Sequence, residues 1–103
     1  LNGDSAMLFA IRCEDKPDAL EKRMETRPAH LNWLESHQKD LVLVGPLLDG
    51  DGKPRGSLLV VEMPDRAAAE AFAAADPYAF AEVFASTTVE PFRLVFKDGA
   101  KVG

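Results

Sequence analysis

Four short apolar runs, set apart by two helical stretches and one turn-rich loop, constrain this chain more than any other feature. The runs are Met7–Cys13, Leu41–Leu48, Leu58–Met63 and Val89–Phe96. Each is rich in bulky or β-branched residues and bounded by Gly, Pro, Asp or Ser, the signature of strands. Between the first two, Leu20, Met24, Leu31 and Leu34 recur at helical spacing, and the pattern continues to about Gln38. Pro17 or Asp18 suits the start of that helix, and Pro28 predicts a kink or break near Arg27. Between the last two, Asp65 is placed to cap an Ala-rich helix from Arg66 to about Ala75. Asp76-Pro77 ends that helix, and Tyr78–Phe84 forms a further short turn or helix. The loop Asp49–Gly56 joins the second and third runs as a hairpin. Gly45-Pro46 marks the second strand as an edge or a bulged one, because proline cannot donate to a ladder.

The resulting order, β-α-β-β-α-β, predicts an α+β, ferredoxin-like fold: an antiparallel four-stranded sheet with helices on one face. A sheet with one wet face should alternate apolar and polar residues. Here Met7, Phe9, Ile11 and Cys13 oppose Leu8, Ala10 and Arg12, and Leu59, Val61 and Met63 oppose Leu58, Val60 and Glu62. Both faces carry apolar residues, yet the helices can cover only one. A second copy packed on the helix-free face is the simplest cover, so the pattern predicts a homodimer.

The chain has 103 residues, enough for one domain, which is placed at 7–97. Residues 1–6 read as a tag remnant or a disordered leader, and 98–103 as a loose polar tail. A net charge of −5 argues against nucleic-acid binding, which needs a basic face. No uniformly apolar run is long enough to span a membrane, and no secretory leader opens the chain. With a single cysteine, Cys13, read as an inert packing group, the expected location is cytoplasmic. The loop Gly50–Gly56 lacks the spacing that cradles phosphates, and His30 with Asp76 makes too few ligands for a metal. No cofactor and no metal site are expected.

The candidates for chemistry are His30, in Arg27-Pro28-Ala29-His30-Leu31, and Asp76, in Asp76-Pro77-Tyr78. Histidine is the natural proton carrier near neutral pH, and an Asp that receives its ring N–H sets the tautomer and favours the imidazolium. His30 lies at the border of the apolar stripe formed by Met24, Leu31 and Leu34, a position suited to a half-buried imidazole. Asp76 would place a negative charge at a helix C-terminus, against the dipole, which calls for a partner such as His30 or Arg27. Arg27 has the fork geometry to bind a carboxylate or phenolate. Trp33, Tyr78, Phe80 and Phe84 read as core or cleft walls, His37 as a cation at a helix end, and Gly45 and Gly56 as backbone requirements.

Taken together, Met7–Ile11, Arg27–Leu31, Gly45-Pro46, Gly56, Asp76-Pro77-Tyr78 and Val89-Glu90-Pro91-Phe92 resemble the YciI-like (YCII-related) family over Met7–Phe96. The resemblance implies a dimeric α/β barrel with a cleft in which His30 and Asp76 form the catalytic pair. It implies that Arg27, Tyr78 and Pro91 accompany that pair, with Arg27 and Tyr78 positioning substrate. A related dehydrochlorinase and the muconolactone isomerases share the broader fold, which implies proton transfer on small aromatic-derived molecules. The family usually has Gly in the small-residue stretch after Asp-Pro-Tyr; Glu82 stands here instead and is expected to add bulk and charge near the cleft. The expected function is a cofactor-independent lyase- or isomerase-like enzyme for a small organic acid or aromatic metabolite. The alternative is a non-catalytic dimeric ligand-binding or interaction module in which His30 and Asp76 form a structural pair.

Overall fold

A computed structural model describes residues 7–103, so the leader at 1–6 lies outside the described residues. Strands β1 (Met7–Asp15), β2 (Leu41–Leu48), β3 (Pro54–Met63) and β4 (Phe84–Phe92) form one antiparallel sheet in the order β2-β3-β1-β4. Helix α1 (Leu20–Glu35) carries the chain from β1 to β2 past β3. Helix α2 (Arg66–Ala74) and the single turn α3 (Pro77–Phe80) carry it from β3 to β4 past β1. These two interleaved β-α-β units make the ferredoxin-like fold that the element order predicts.

Pleating decides what is buried. Phe9, Ile11 and Cys13 of β1 share a face with Leu59, Val61 and Met63 of β3, and they meet Leu34 of α1 and Ala69, Phe72 and Ala73 of α2. The register sets Ile11 between Leu59 and Val89, so all three point into the same layer. Gly56 packs against the carbonyl of Cys13 so closely that any Cβ would collide with it. Gly45 has open space around it, so only the first of these two glycines is required by packing.

The second strand is an edge, as Gly45-Pro46 suggests, with register shifts between Leu41 and Leu43 and between Leu47 and Leu48. On the helix-free face, Leu43 and Phe92 are 52% and 41% exposed. Arg12, Glu62 and Glu90 share that face, so its apolar area is interrupted by charge.

Four expectations are corrected. The last strand is Phe84–Phe92 rather than Val89–Phe96, because Ser86-Thr87-Thr88 continues the β pattern and Pro91 is tolerated on the outer strand of the sheet. Phe96–Lys97 and Ala100–Lys101 instead pair as a small hairpin, β5 and β6, so much of the expected loose tail is ordered. Helix α1 begins only at Leu20, since Asp18 sits in the left-handed region at φ 61°, and it ends at Glu35, with Gln38–Asp40 forming a 3₁₀ turn. The helix also runs through Pro28 without the break, and Pro28 is exposed, so the carbonyl that loses its donor is on the wet side.

Candidate functional site

The polar chemistry of the chain converges on α1. Its inward stripe is Arg23, His30 and Leu34, all buried, with Arg27 between them at the rim. These positions fall within a narrow arc at 100° per residue. The expected stripe of Leu20, Met24, Leu31 and Leu34 is therefore rotated: Met24 and Leu31 are exposed, and only Leu34 belongs to the core. A helix normally turns its apolar side inward. Here carboxylates and a hydroxyl from neighbouring elements compensate the buried polar groups, and that compensation selects the other face.

His30 and Asp76 meet. Nδ1 of His30 lies 2.9 Å from Oδ1 of Asp76, with the residues 6% and 1% exposed. The same Oδ1 accepts the backbone N–H of Tyr78 at 2.9 Å, because Asp76 caps α3. The expected clash with the dipole at the end of α2 is thus relieved: Ala75 ends α2, and Asp76 stands at the start of the next turn, where negative charge is favoured. A carboxylate at Nδ1 assigns the proton to that nitrogen. Nε2 has no hydrogen-bond partner among the described residues, yet no buried side-chain nitrogen or oxygen is left unpaired. Nε2 is therefore not sealed in the core, and His30 lines a cavity.

That cavity has a volume of about 360 Å³. Arg23, Arg27 and His30 together with Met24, Leu31 and Leu34 form its α1 wall, β2 supplies a second wall at Val44–Pro46, and Ser57 and Tyr78 also line it. Its size suits a single-ring molecule. Tyr78 joins the groups: its ring stacks on His30 at 4.1 Å between centroids and 21° between planes. The guanidinium carbon of Arg23 lies 4.3 Å from the same ring centroid. Burial pushes the Tyr78 phenol above its ordinary pKa, although the Arg23 charge pulls the other way, so the hydroxyl stays protonated at neutral pH. Arg27 is exposed at the rim and has neither a hydrogen bond nor an ion pair among the described residues.

Three members of the site are absent from the sequence-based candidates. Arg23, 3% exposed, donates Nε to Asp15 Oδ2 at 2.7 Å and Nη2 to Asp15 Oδ1 at 3.1 Å. Its Nη2 also reaches the buried Ser57 Oγ at 2.7 Å. The four- and three-residue steps from Arg23 to Arg27 to His30 were a readable signal, because they put three basic residues on one stripe. Nothing local singles out Ser57.

Other candidates fall elsewhere. Glu82 does not line the cavity; it is exposed, 3.6 Å from Lys16, with φ 62°. That left-handed angle is the physical reason a glycine suits this corner. Phe80 is 78% exposed and belongs to neither core nor cleft, whereas Trp33 stacks on Phe72 at 4.5 Å and Phe84 meets Tyr78 edge-on at 5.9 Å. Pro91 pairs with Phe9 in the outer strand and does not line the cleft. Cys13 is buried, takes a hydrogen bond from Thr87 at 3.6 Å, and has its thiol pushed up to about 11 by burial, which makes it unreactive near neutral pH. Among the described residues no three His, Cys, Asp or Glu side chains stand where they could hold a metal ion. No helix among them is long and apolar enough to cross a membrane.

Residues 7–93 match the model of the YCII-related domain. The chain is 39% identical over 98 residues to protein YciI of Escherichia coli, covering 87% of this chain and all of that protein. An uncharacterized protein of Haemophilus influenzae is 35% identical over the same share of both chains. Among solved structures, the 5-chloro-2-hydroxyhydroquinone dehydrochlorinase of Burkholderia phenoliruptrix AC1100, in complex with 2,5-dihydroxybenzoquinone, superimposes with a TM-score of 0.80 at 33% identity, covering 84% of this chain and 94% of that one. An antibiotic biosynthesis monooxygenase, 20% identical with a TM-score of 0.51 over 86% of this chain and 99% of that one, shares the fold alone.

Proposed function

The chain belongs to the YCII-related family, and from that premise we propose that it is a cofactor-independent enzyme acting on a small, anionic, ring-bearing molecule by proton transfer through His30. The observation that carries this reading is the split state of the imidazole: Nδ1 is held by a buried carboxylate, while Nε2 has no partner among the described residues and the ring lines the cleft. Nε2 takes a proton from a hydroxyl or an activated carbon of the bound ring. The released electron pair moves into the conjugated system and either expels a leaving group or shifts a double bond. Asp76 stabilises the imidazolium while it exists, and that proton then leaves with the expelled group or returns to another carbon. Arg27 draws the ligand's negative charge to the rim, and Tyr78 holds the imidazole plane. The dehydrochlorinase, 33% identical, supports an elimination on a hydroxylated aromatic as the first reaction to try.

The same reading includes a homodimer through the helix-free sheet face, supported by exposed Leu43 and Phe92 there. Sedimentation of wild type and Leu43→Glu tests it; a wild-type monomer would remove this part.

The central test is turnover of chlorinated and unchlorinated hydroxyhydroquinones, followed by absorbance and chloride release. His30→Ala should lose about 10²- to 10⁴-fold in rate, the usual share of a general base, with circular dichroism unchanged. Ligand binding without turnover in the wild type would favour a binding module with a structural His30–Asp76 pair.

A further inference from the structure

We propose that Arg23, Ser57 and Tyr78 form an oxyanion subsite in the cleft, holding one anionic oxygen of a conjugated ring, a phenolate or enolate, while His30 works elsewhere on the same ring. This rests on the reading of the cleft as a site for small ring ligands. Arg23 is 3% exposed, and its Nε and Nη2 are engaged by Asp15 and Ser57. Its Nη1 has no hydrogen-bond partner among the described residues, and no buried side-chain nitrogen there is left unpaired. Arg23 lines the cavity. The Ser57 hydroxyl, 2% exposed, accepts from Arg23 through its oxygen, so its own proton is free to donate. Tyr78 lines the same cavity, and its hydroxyl oxygen takes a hydrogen bond from Arg23, which leaves its own proton free to donate.

Three donor side chains thus line one cavity, with Ser57 and Tyr78 both against the Arg23 guanidinium. Asp15 occupies one side of the guanidinium in a two-pronged pair, which fixes its plane and leaves one corner open. One corner suits one oxygen. A phosphate would need several donors and would bring its remaining oxygens toward the Asp15 carboxylate. A ring oxygen carrying delocalised charge satisfies the corner without that repulsion, and charge that builds on it as His30 removes a proton is stabilised in place.

The experiment is calorimetric titration of 2,5-dihydroxybenzoquinone into wild type, Ser57→Ala, Tyr78→Phe, Arg23→Lys and Arg27→Ala. Ser57→Ala is the informative variant, because Arg23 keeps Asp15 and the fold should survive. It should weaken binding about tenfold, the size of one hydrogen bond to a charged group. Tyr78→Phe should do the same, and Arg23→Lys, which loses the open corner, should weaken it more. Arg27→Ala should lower affinity with a steeper loss of salt dependence, because Arg27 is exposed. Unchanged affinity in Ser57→Ala and Tyr78→Phe, with wild type binding well, overturns the subsite and leaves the cleft reading standing. No binding to wild type overturns both.

Discussion

The two β-α-β halves share a topology and use their helices in opposite ways. Helix α2 presents Ala69, Phe72 and Ala73 to the sheet, and Asp65 caps it by accepting from Ala68 N–H. Its buried face is dry and apolar, and its role is packing. Helix α1 presents Arg23, His30 and Leu34, and its two polar members need Asp15, Ser57 and Asp76 to be tolerated inside. A buried ion pair adds little net stability over apolar residues of the same shape. A half that buries charge in place of hydrocarbon is therefore poorly explained by stability and well explained by chemistry, and α1 forms one wall of the cavity.

The widest test of this contrast is to break each helix's inward contact. Asp15→Ala strands a buried guanidinium and should cost about 3–5 kcal/mol in urea unfolding. The double variant Asp15→Leu with Arg23→Met should recover most of it while ligand binding stays lost; a single variant costing under about 1 kcal/mol would mean that α1 does not bury its charge. Phe72→Ala on α2 should cost about 3 kcal/mol by leaving a cavity beside Trp33, yet leave ligand affinity of the folded protein nearly unchanged. Lost affinity there would dissolve the division between halves.

Cys13 gives a smaller effect. Its thiol is raised from 9.0 to about 11, first by burial, with a lowering hydrogen bond from Thr87 and a further push from the Asp76 charge. A raised acid favours the folded state while protonated, so the stability is complete below pH 9 and is lost as pH climbs toward 11. The loss is of order 3 kcal/mol. Cys13→Ala should flatten that part of the alkaline slope in urea midpoints measured against pH, leaving the share due to Tyr78, which rises above pH 10. A slope identical in both proteins would contradict the thiol's burial cost. The smallest effect has the opposite sign: Glu82→Gly, at φ 62°, should raise the free energy of unfolding by about 1 kcal/mol, and with it the urea midpoint, left-handed strain relieved less the added chain entropy. A lower midpoint would show that the Lys16 contact or another interaction of Glu82 outweighs the strain.

Much of this was legible in order and spacing. The alternation in Met7–Cys13 and Leu58–Met63 marks the strands and both of their faces, and the Asp65 cap and the Asp49–Gly56 loop are local. In that loop the Asp49 side chain accepts from Asp51 and Lys53 N–H groups, all within five residues. His30 and Asp76 were legible as candidates because their residue types and motifs are unusual, and the family resemblance gathered them.

Periodicity says which residues share a face. It does not say which face turns inward, because that depends on partners the chain brings from elsewhere. The sequence by itself determined the α+β order, the Asp49–Gly56 loop, the Asp65 cap and the identity of the His and Asp. Tertiary structure alone decided that α1 turns Arg23 and His30 inward while leaving Met24 and Leu31 exposed, that Ser57 serves the site, and that Asp76 meets His30. The reason is physical: a buried charge is acceptable only beside its counter-group, and those counter-groups come from β1, β3 and the α2–α3 corner, so only the assembled fold can compare the two faces of the helix.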